Sequence, residues 1–142
     1  MTSKQLSVFI ENRKGRLSQV LEVLKENDVN ILSLSLADTT EYGLLRLIVN
    51  DPKLGKEKLS EKGFSSLLSD VLIVKISHKT GSLQELLKKI EKADINIEYM
   101  YGLSIENEDA YVVLKTSDAE KTFDVLRENG IDTMLPEKLQ KL

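Results

Sequence analysis

An internal repeat organises this chain of 142 residues. The strand-like segment that begins at Leu6 recurs 66 positions later at Leu72. The same offset pairs Gly15 with Gly81, Leu17 with Leu83, Leu21 with Leu87, Asp28 with Asp94, Asn30 with Asn96 and Ile31 with Ile97. Each copy is about 70 residues, which gives only a marginally stable core. We therefore expect the two halves to bury surface against each other or against further copies.

Hydrophobic periodicity predicts the same order of elements in both copies. In the first copy we predict strands at 5–10, 30–37, 44–50 and 64–68, a helix from Leu17 to Asn27, and a second helix from Pro52 that is broken at Gly55 and ended by Gly63. In the second copy we predict strands at 71–76, 96–103, 110–116 and 131–135, and helices at 82–93 and 118–129. Ser117 and Glu120 are predicted to form a capping box. Only Ser69-Asp70 separates the copies.

The element order βαββαβ predicts an α+β fold. Right-handed crossovers place both helices of a copy on one face of a four-stranded antiparallel sheet, which is the ferredoxin-like arrangement. The chain is thus expected to contain two tandem ferredoxin-like units, at 1–69 and 70–142.

Composition excludes several classes of function. The net charge of −3 argues against a surface that neutralises many phosphates, so nucleic acid is not an expected partner. The chain has no cysteine, no signal-peptide core and no apolar run long enough to cross a membrane, so we expect a cytoplasmic protein. Its single histidine, His78, has no partners spaced for a catalytic triad or a metal site. No nucleotide-binding glycine motif is present, and we expect neither catalytic residues nor cofactors.

A binding site is easier to build than a catalytic one, and it recurs in both copies. The segment from Asn12 through Arg13, Lys14, Gly15 and Arg16 to Leu17 leads from the first strand into the first helix. Glycine permits a sharp bend there, and the first N–H groups of a helix have no partner within the helix. Together with the helix dipole and the cations, these donors are suited to a small carboxylate. In the second copy, the equivalent turn runs from His78 through Thr80 and Gly81 to Leu83.

The chain resembles the ACT-domain family of small regulatory modules, in a tandem pair. The resemblance rests on the element order, on the turn Asn12-Arg13-Lys14-Gly15-Arg16-Leu17, and on the phrase Asp28-Val29-Asn30-Ile31, echoed as Asp94-Ile95-Asn96-Ile97. The family typically binds an amino acid between the strand-to-helix turn of one module and the edge strand of its neighbour. The resemblance therefore implies two pockets, one flanked by Asn12, Gly15 and Leu17 with Asn30 and Ser33, and the other by His78, Gly81, Leu83, Asn96 and Tyr99.

Family relatives usually act beside an enzyme of amino-acid metabolism. Because no catalytic part is recognisable here, the resemblance implies a non-catalytic regulatory protein that binds an amino acid, modulates such an enzyme and forms a homodimer. Two departures bear on the sites: relatives often carry Asp and Pro where this chain has Asn12 and Lys14, and the second turn lacks the arginine before its glycine.

Two other functions remain open from the sequence. Acylphosphatases share the fold and need an arginine in the first turn and an asparagine on a central strand, for which Arg13 or Arg16 and Asn50 are candidates. RNA binding on the sheet would need aromatic residues on the central strands, and the segment 45–49 has none.

Overall fold

The structure is a computed structural model that describes residues 1–38, 41–77, 79–105 and 110–142. It divides into two compact units. The first unit comprises Lys4–Ser69 together with Leu139–Leu142, and the second comprises Met1–Ser3 together with Asp70–Lys138. The α+β class and the repeated βαββαβ order are confirmed.

In the first unit, β1 (Ser3–Glu11), α1 (Arg16–Glu26), β2 (Ile31–Asp38), β3 (Tyr42–Val49) and α2 (Pro52–Glu61) follow in order, and the first residues of β4 (Ser66–Ile76) close the pattern. Strand β3 lies between β1 and β2 and is antiparallel to both. The N–H of Phe9 donates to the carbonyl of Ser65 at 3.0 Å, so the chain returns to the other side of β1. The core between helices and sheet contains Leu6, Val8, Val20, Leu24, Leu45, Leu47, Leu59 and Phe64.

The second unit repeats this plan. It contains the rest of β4, then α3 (Ser82–Lys92), β5 (Ile97–Ser104), β6 (Ala110–Thr116), α4 (Ala119–Glu128) and the first residues of the short α5 (Pro136–Gln140). Strand β6 lies between β4 and β5 and is antiparallel to both. Its core contains Leu72, Val74, Leu86, Ile90, Ile95, Val112, Leu114 and Leu126.

The ends of the two repeats differ from the predicted strands. The segments predicted as strands at 64–68 and 71–76 belong to one continuous strand, Ser66–Ile76, and Ser69-Asp70 contains neither glycine nor proline to interrupt it. The strand predicted at 131–135 is reduced to an isolated bridge between Val74 and Thr133. Helix α5 starts at Pro136, which fits the first turn of a helix and cannot donate to a sheet.

Two details of the helices were also predicted wrongly. Gly55 does not break α2, which runs through it without interruption. The cap of α4 is Asp118, whose carboxylate accepts from the N–H of Lys121 at 3.0 Å. Ser117 instead accepts from the N–H of Asn96 at 3.1 Å through its hydroxyl oxygen. Adjacent residues with equally suitable side chains make this choice undecidable from the sequence.

All four long helices end in the same way. In each, a residue with left-handed backbone follows the helix, and the next N–H donates to a carbonyl five residues earlier, as from Val29 to Leu24 at 2.9 Å. This is the Schellman motif. Glycine takes the left-handed position after α2 and α4, whereas Asp28 (φ 56°) and Asp94 (φ 60°) take it after α1 and α3. In both copies, therefore, an aspartate follows the first helix and a glycine follows the second.

Gly55 is required by packing, and enlarging it is expected to destabilise the first unit. A Cβ at this position would lie 3.1 Å from Cδ2 of Leu6 and 3.4 Å from Cδ2 of Leu24, and both leucines are fully buried. We expect Gly55→Val to lower the free energy of unfolding by about 1 to 3 kcal/mol. Glu57→Val, on the exposed face of the same helix, should cost about 0.5 kcal/mol. Equal losses in urea denaturation of the two variants would contradict this packing.

The aspartates that end α1 and α3 are predicted to reduce stability. A left-handed backbone disfavours residues with a Cβ, and a carboxylate is unfavourable at the negative end of a helix dipole. Asp28→Gly is therefore expected to raise the free energy of unfolding by about 0.5 to 1 kcal/mol. Gly63→Ala, at the equivalent position after α2 (φ 84°), provides the reverse change and should lower it. Thermal denaturation in which Asp28→Gly proves destabilising would refute this assignment.

Candidate functional site

The first strand-to-helix turn exposes the residues that the sequence singled out. Asn12, Arg13, Lys14 and Gly15 are exposed, and Gly15 has a left-handed backbone with φ 87°. The N–H of Asn12 donates to the carbonyl of Glu41 at 3.4 Å, and no side chain caps α1. The glycine was thus correctly identified as a residue that the turn requires. Leu17 is half-buried against the core of the first unit.

Two of the three cations of this turn, Arg13 and Arg16, contact other residues of the protein. Arg13 forms an exposed ion pair with Glu11, with Nε and Oε2 3.1 Å apart. The guanidinium of Arg16 lies 4.3 Å from the centre of the Phe64 ring, and its Nη1 donates to Oε1 of Gln19 at 2.8 Å. Arg16 therefore fills space beside the first turn of α1.

The second turn has the same backbone and different side chains. Gly81 has φ 87°, no side chain caps α3, and Thr80 is exposed. The hydroxyl of Ser82 donates to the carbonyl of Lys79 at 2.7 Å, and the hydroxyl of Ser77 accepts from the N–H of Lys79 at 3.1 Å. Leu83 packs half-buried against the core of the second unit. The predicted site residue His78 lies outside the described residues.

Asn30 and Asn96 lie away from the turns of their own units. Each follows the helix, at the end opposite to the glycine turn, and an 11-residue helix is about 16 Å long. The N–H of Asn30 donates to Oδ1 of Asn50 at 2.8 Å, and its Nδ2 donates to the carbonyl of Leu142 at 3.0 Å. The backbone groups of both asparagines thus anchor the start of a strand, and within one unit neither residue lies beside the turn.

Ser33 and Tyr99 occupy equivalent positions on the outer strands. Each follows a shift of register in its pairing, between Ile31 and Ser33 in one unit and between Ile97 and Tyr99 in the other. Both side chains are half-buried. The repeat therefore preserves even this irregularity, while the side chain changes from a hydroxyl to an aromatic ring.

A cleft of about 510 Å³ opens within the second unit, beside the first turn of α3. Its lining combines apolar residues with two lysines and two acids. The lining residues are Lys75, Ile76, Ser77, Ser82, Glu85, Leu86, Lys89, Gly130, Ile131 and Asp132. A pocket of this size with a few convergent polar groups is typical of small-molecule sites. The charged residues of this cleft were not predicted from the sequence. The change from Arg16 to the small Ser82 at the equivalent position was a signal that pointed to more space in the second unit.

The residues considered for an acylphosphatase site each contact other residues of the protein. Arg13 is paired with Glu11, Arg16 stacks on Phe64, and Oδ1 of Asn50 accepts from the backbone of Asn30. In the ranges that the structure describes, no three acidic or histidine residues lie together as metal ligands. No described helix is long and apolar enough to cross a membrane.

Comparisons with known proteins agree with the repeat. A family model described as an ACT domain pair matches residues 1–142. The crystal structure of a Bacteroides thetaiotaomicron protein has a TM-score of 0.93 and 35% sequence identity, with coverage of 100% of this chain and 98% of that one. The ligand-free regulatory subunit of aspartate kinase from Thermus thermophilus has a TM-score of 0.64 at 16% identity, covering 89% and 90%. The corresponding subunit from Thermus flavus gives 0.59 at 13%, covering 88% and 90%. No curated protein matches the sequence.

The two arginines of the first turn are predicted to differ in their effect on stability. Arg16→Ala removes a partly buried cation–π contact and should lower the free energy of unfolding by about 1 kcal/mol. Arg13→Ala removes only an exposed ion pair and should change it by less than about 0.5 kcal/mol. Urea denaturation of both variants measures the difference. A larger loss for Arg13→Ala would show that Arg16 is not held as described.

Proposed function

Since this chain belongs to the family of ACT domain pairs, we propose that it is a non-catalytic regulatory protein that binds an amino acid and modulates an enzyme of amino-acid metabolism. The observation that carries the proposal is the match of an ACT domain pair to the whole chain. The strand-to-helix turns support it, because both present a left-handed glycine and a helix N-terminus without a side-chain cap. Such backbone donors suit the carboxylate of an amino acid.

Regulation by this protein requires a partner and two states. A ligand changes its partner only if it binds two conformations unequally, so the amino acid must favour one of them. The same fold occurs in the regulatory subunits of aspartate kinase from the two Thermus species. We propose the same kind of role here, in a homodimer. That the effector sits where two ACT units meet remains a prediction from the family resemblance.

Amino-acid binding can be tested directly with the purified protein. We expect at least one of the twenty amino acids to give heat in isothermal titration and to raise the melting temperature. At a concentration of 100 times Kd the stabilisation should be about 2.7 kcal/mol. Absence of both heat and thermal shift across the whole panel would refute the proposed function.

Two glycine variants separate the turns as binding elements. A Cβ at Gly15 or Gly81 meets no atom within 4 Å, so Gly15→Ala and Gly81→Ala disturb only the left-handed backbone of the turn. Affinity should fall in the variant whose turn holds the ligand. Gly63→Ala introduces the same strain outside both turns, and it should leave affinity unchanged.

A further inference from the structure

The backbone around the cleft of the second unit is hydrogen-bonded in the same way as the equivalent backbone of the first unit. Three hydrogen bonds recur at equivalent positions and lengths. The first joins Phe9 N to Ser65 O in one unit and Lys75 N to Asp132 O in the other, both at 3.0 Å. The second joins Gln19 N to Gly15 O at 3.1 Å and Glu85 N to Gly81 O at 3.0 Å. The third joins Phe64 N to Leu59 O at 3.0 Å and Ile131 N to Leu126 O at 2.9 Å. Side chains at equivalent positions can therefore be compared directly.

The side chains at these positions differ in size and charge. Where the first unit has Arg16, Gln19, Phe64 and Ser65, the second has Ser82, Glu85, Ile131 and Asp132. In the first unit, the arginine side chain occupies the space between the helix and the following segment, with its guanidinium over the ring of Phe64. In the second unit, a serine and a smaller apolar residue stand there, and a cleft is open. The first unit thus fills with its own side chain a position that the second leaves accessible.

From this correspondence we propose that the cleft of the second unit binds an amino acid that carries a guanidinium group, which takes the place that the Arg16 guanidinium has in the first unit. This inference rests on the proposed function; it names the ligand and places it within the second unit rather than where two ACT units meet. In the first unit, Oε1 of Gln19 accepts from the guanidinium at 2.8 Å. Glu85 replaces that amide with a carboxylate, which binds a guanidinium more strongly and can do so with two parallel hydrogen bonds.

The remaining lining residues fit the rest of such a ligand. Asp132 adds a second carboxylate beside Ile131, whose apolar surface can support the flat face of the guanidinium. Lys89, on the same helix as Glu85, supplies positive charge for the ligand carboxylate. Because the walls combine two cations and two anions, they suit a ligand with both charges better than a simple anion or a simple amine.

The test compares L-arginine with two analogues by isothermal titration. Citrulline has the same shape with a neutral end, and agmatine lacks the carboxylate. We expect L-arginine to bind at least about tenfold more tightly than either analogue, since each analogue loses one charged hydrogen-bonding group. Equal affinities for arginine and citrulline would overturn the proposal.

Variants locate the site. Glu85→Gln installs the residue of the first unit and should weaken arginine binding about tenfold. The double variant S82R/I131F rebuilds the filled arrangement of the first unit and should abolish binding. Glu91→Gln removes an exposed carboxylate from the same helix outside the cleft and serves as the matched control, with affinity unchanged. If the double variant fails to fold, Glu85→Gln still decides.

The outcomes distinguish this inference from the proposed function. Arginine binding that is lost in the cleft variants and kept in Glu91→Gln supports both. Binding of any amino acid that the cleft variants leave unchanged overturns the cleft and leaves the proposed function standing. Loss of a different amino acid in the cleft variants overturns the ligand assignment. Failure of all twenty amino acids to bind overturns both.

Discussion

A short backbone pairing gives the same position in each unit the same surroundings. After the second helix, the chain returns beside the first strand through a hydrogen bond from Phe9 to Ser65, or from Lys75 to Asp132, each 3.0 Å long. That pairing sets the returning segment against the first turn of α1 or α3. The left-handed glycine directly before the helix fixes the direction in which the helix leaves. The strand, the glycine and the returning segment thus border the same position in both units. The two units differ in the side chains at that position.

Because the chain is a repeat, this position can be compared between two units of one molecule. In the first unit the Arg16 guanidinium lies at this position, over the ring of Phe64 and hydrogen-bonded to Gln19. In the second unit Ser82 and Ile131 are smaller than their counterparts, Glu85 and Asp132 are acidic, and a cleft of about 510 Å³ lies there. The two copies therefore share one backbone arrangement and differ in the side chains at this position.

Periodicity and turn chemistry predicted most of the fold. Alternating apolar residues located the strands, and Gly15 and Gly81 were correctly identified as turn residues. The errors lie where neighbouring choices are nearly equal in energy: Asp118 rather than Ser117 caps α4, and Gly55 continues its helix because Leu6 and Leu24 require a small residue there. The site residues stay a prediction. The backbone groups of Asn30 and Asn96 anchor the starts of strands, and the charged cleft residues were not predicted, because their proximity depends on pairing between segments more than forty residues apart.

The sequence by itself determined the duplication, the α+β class and the positions of the sharp turns, because these depend on local conformational preferences that recur in each copy. The tertiary structure decided which of the equivalent positions are open. Whether a side chain such as Arg16 points to solvent or covers Phe64 depends on the free energy of burying it against residues from distant parts of the chain. No local pattern contains that free energy, and it is known only once the strands and helices are in place.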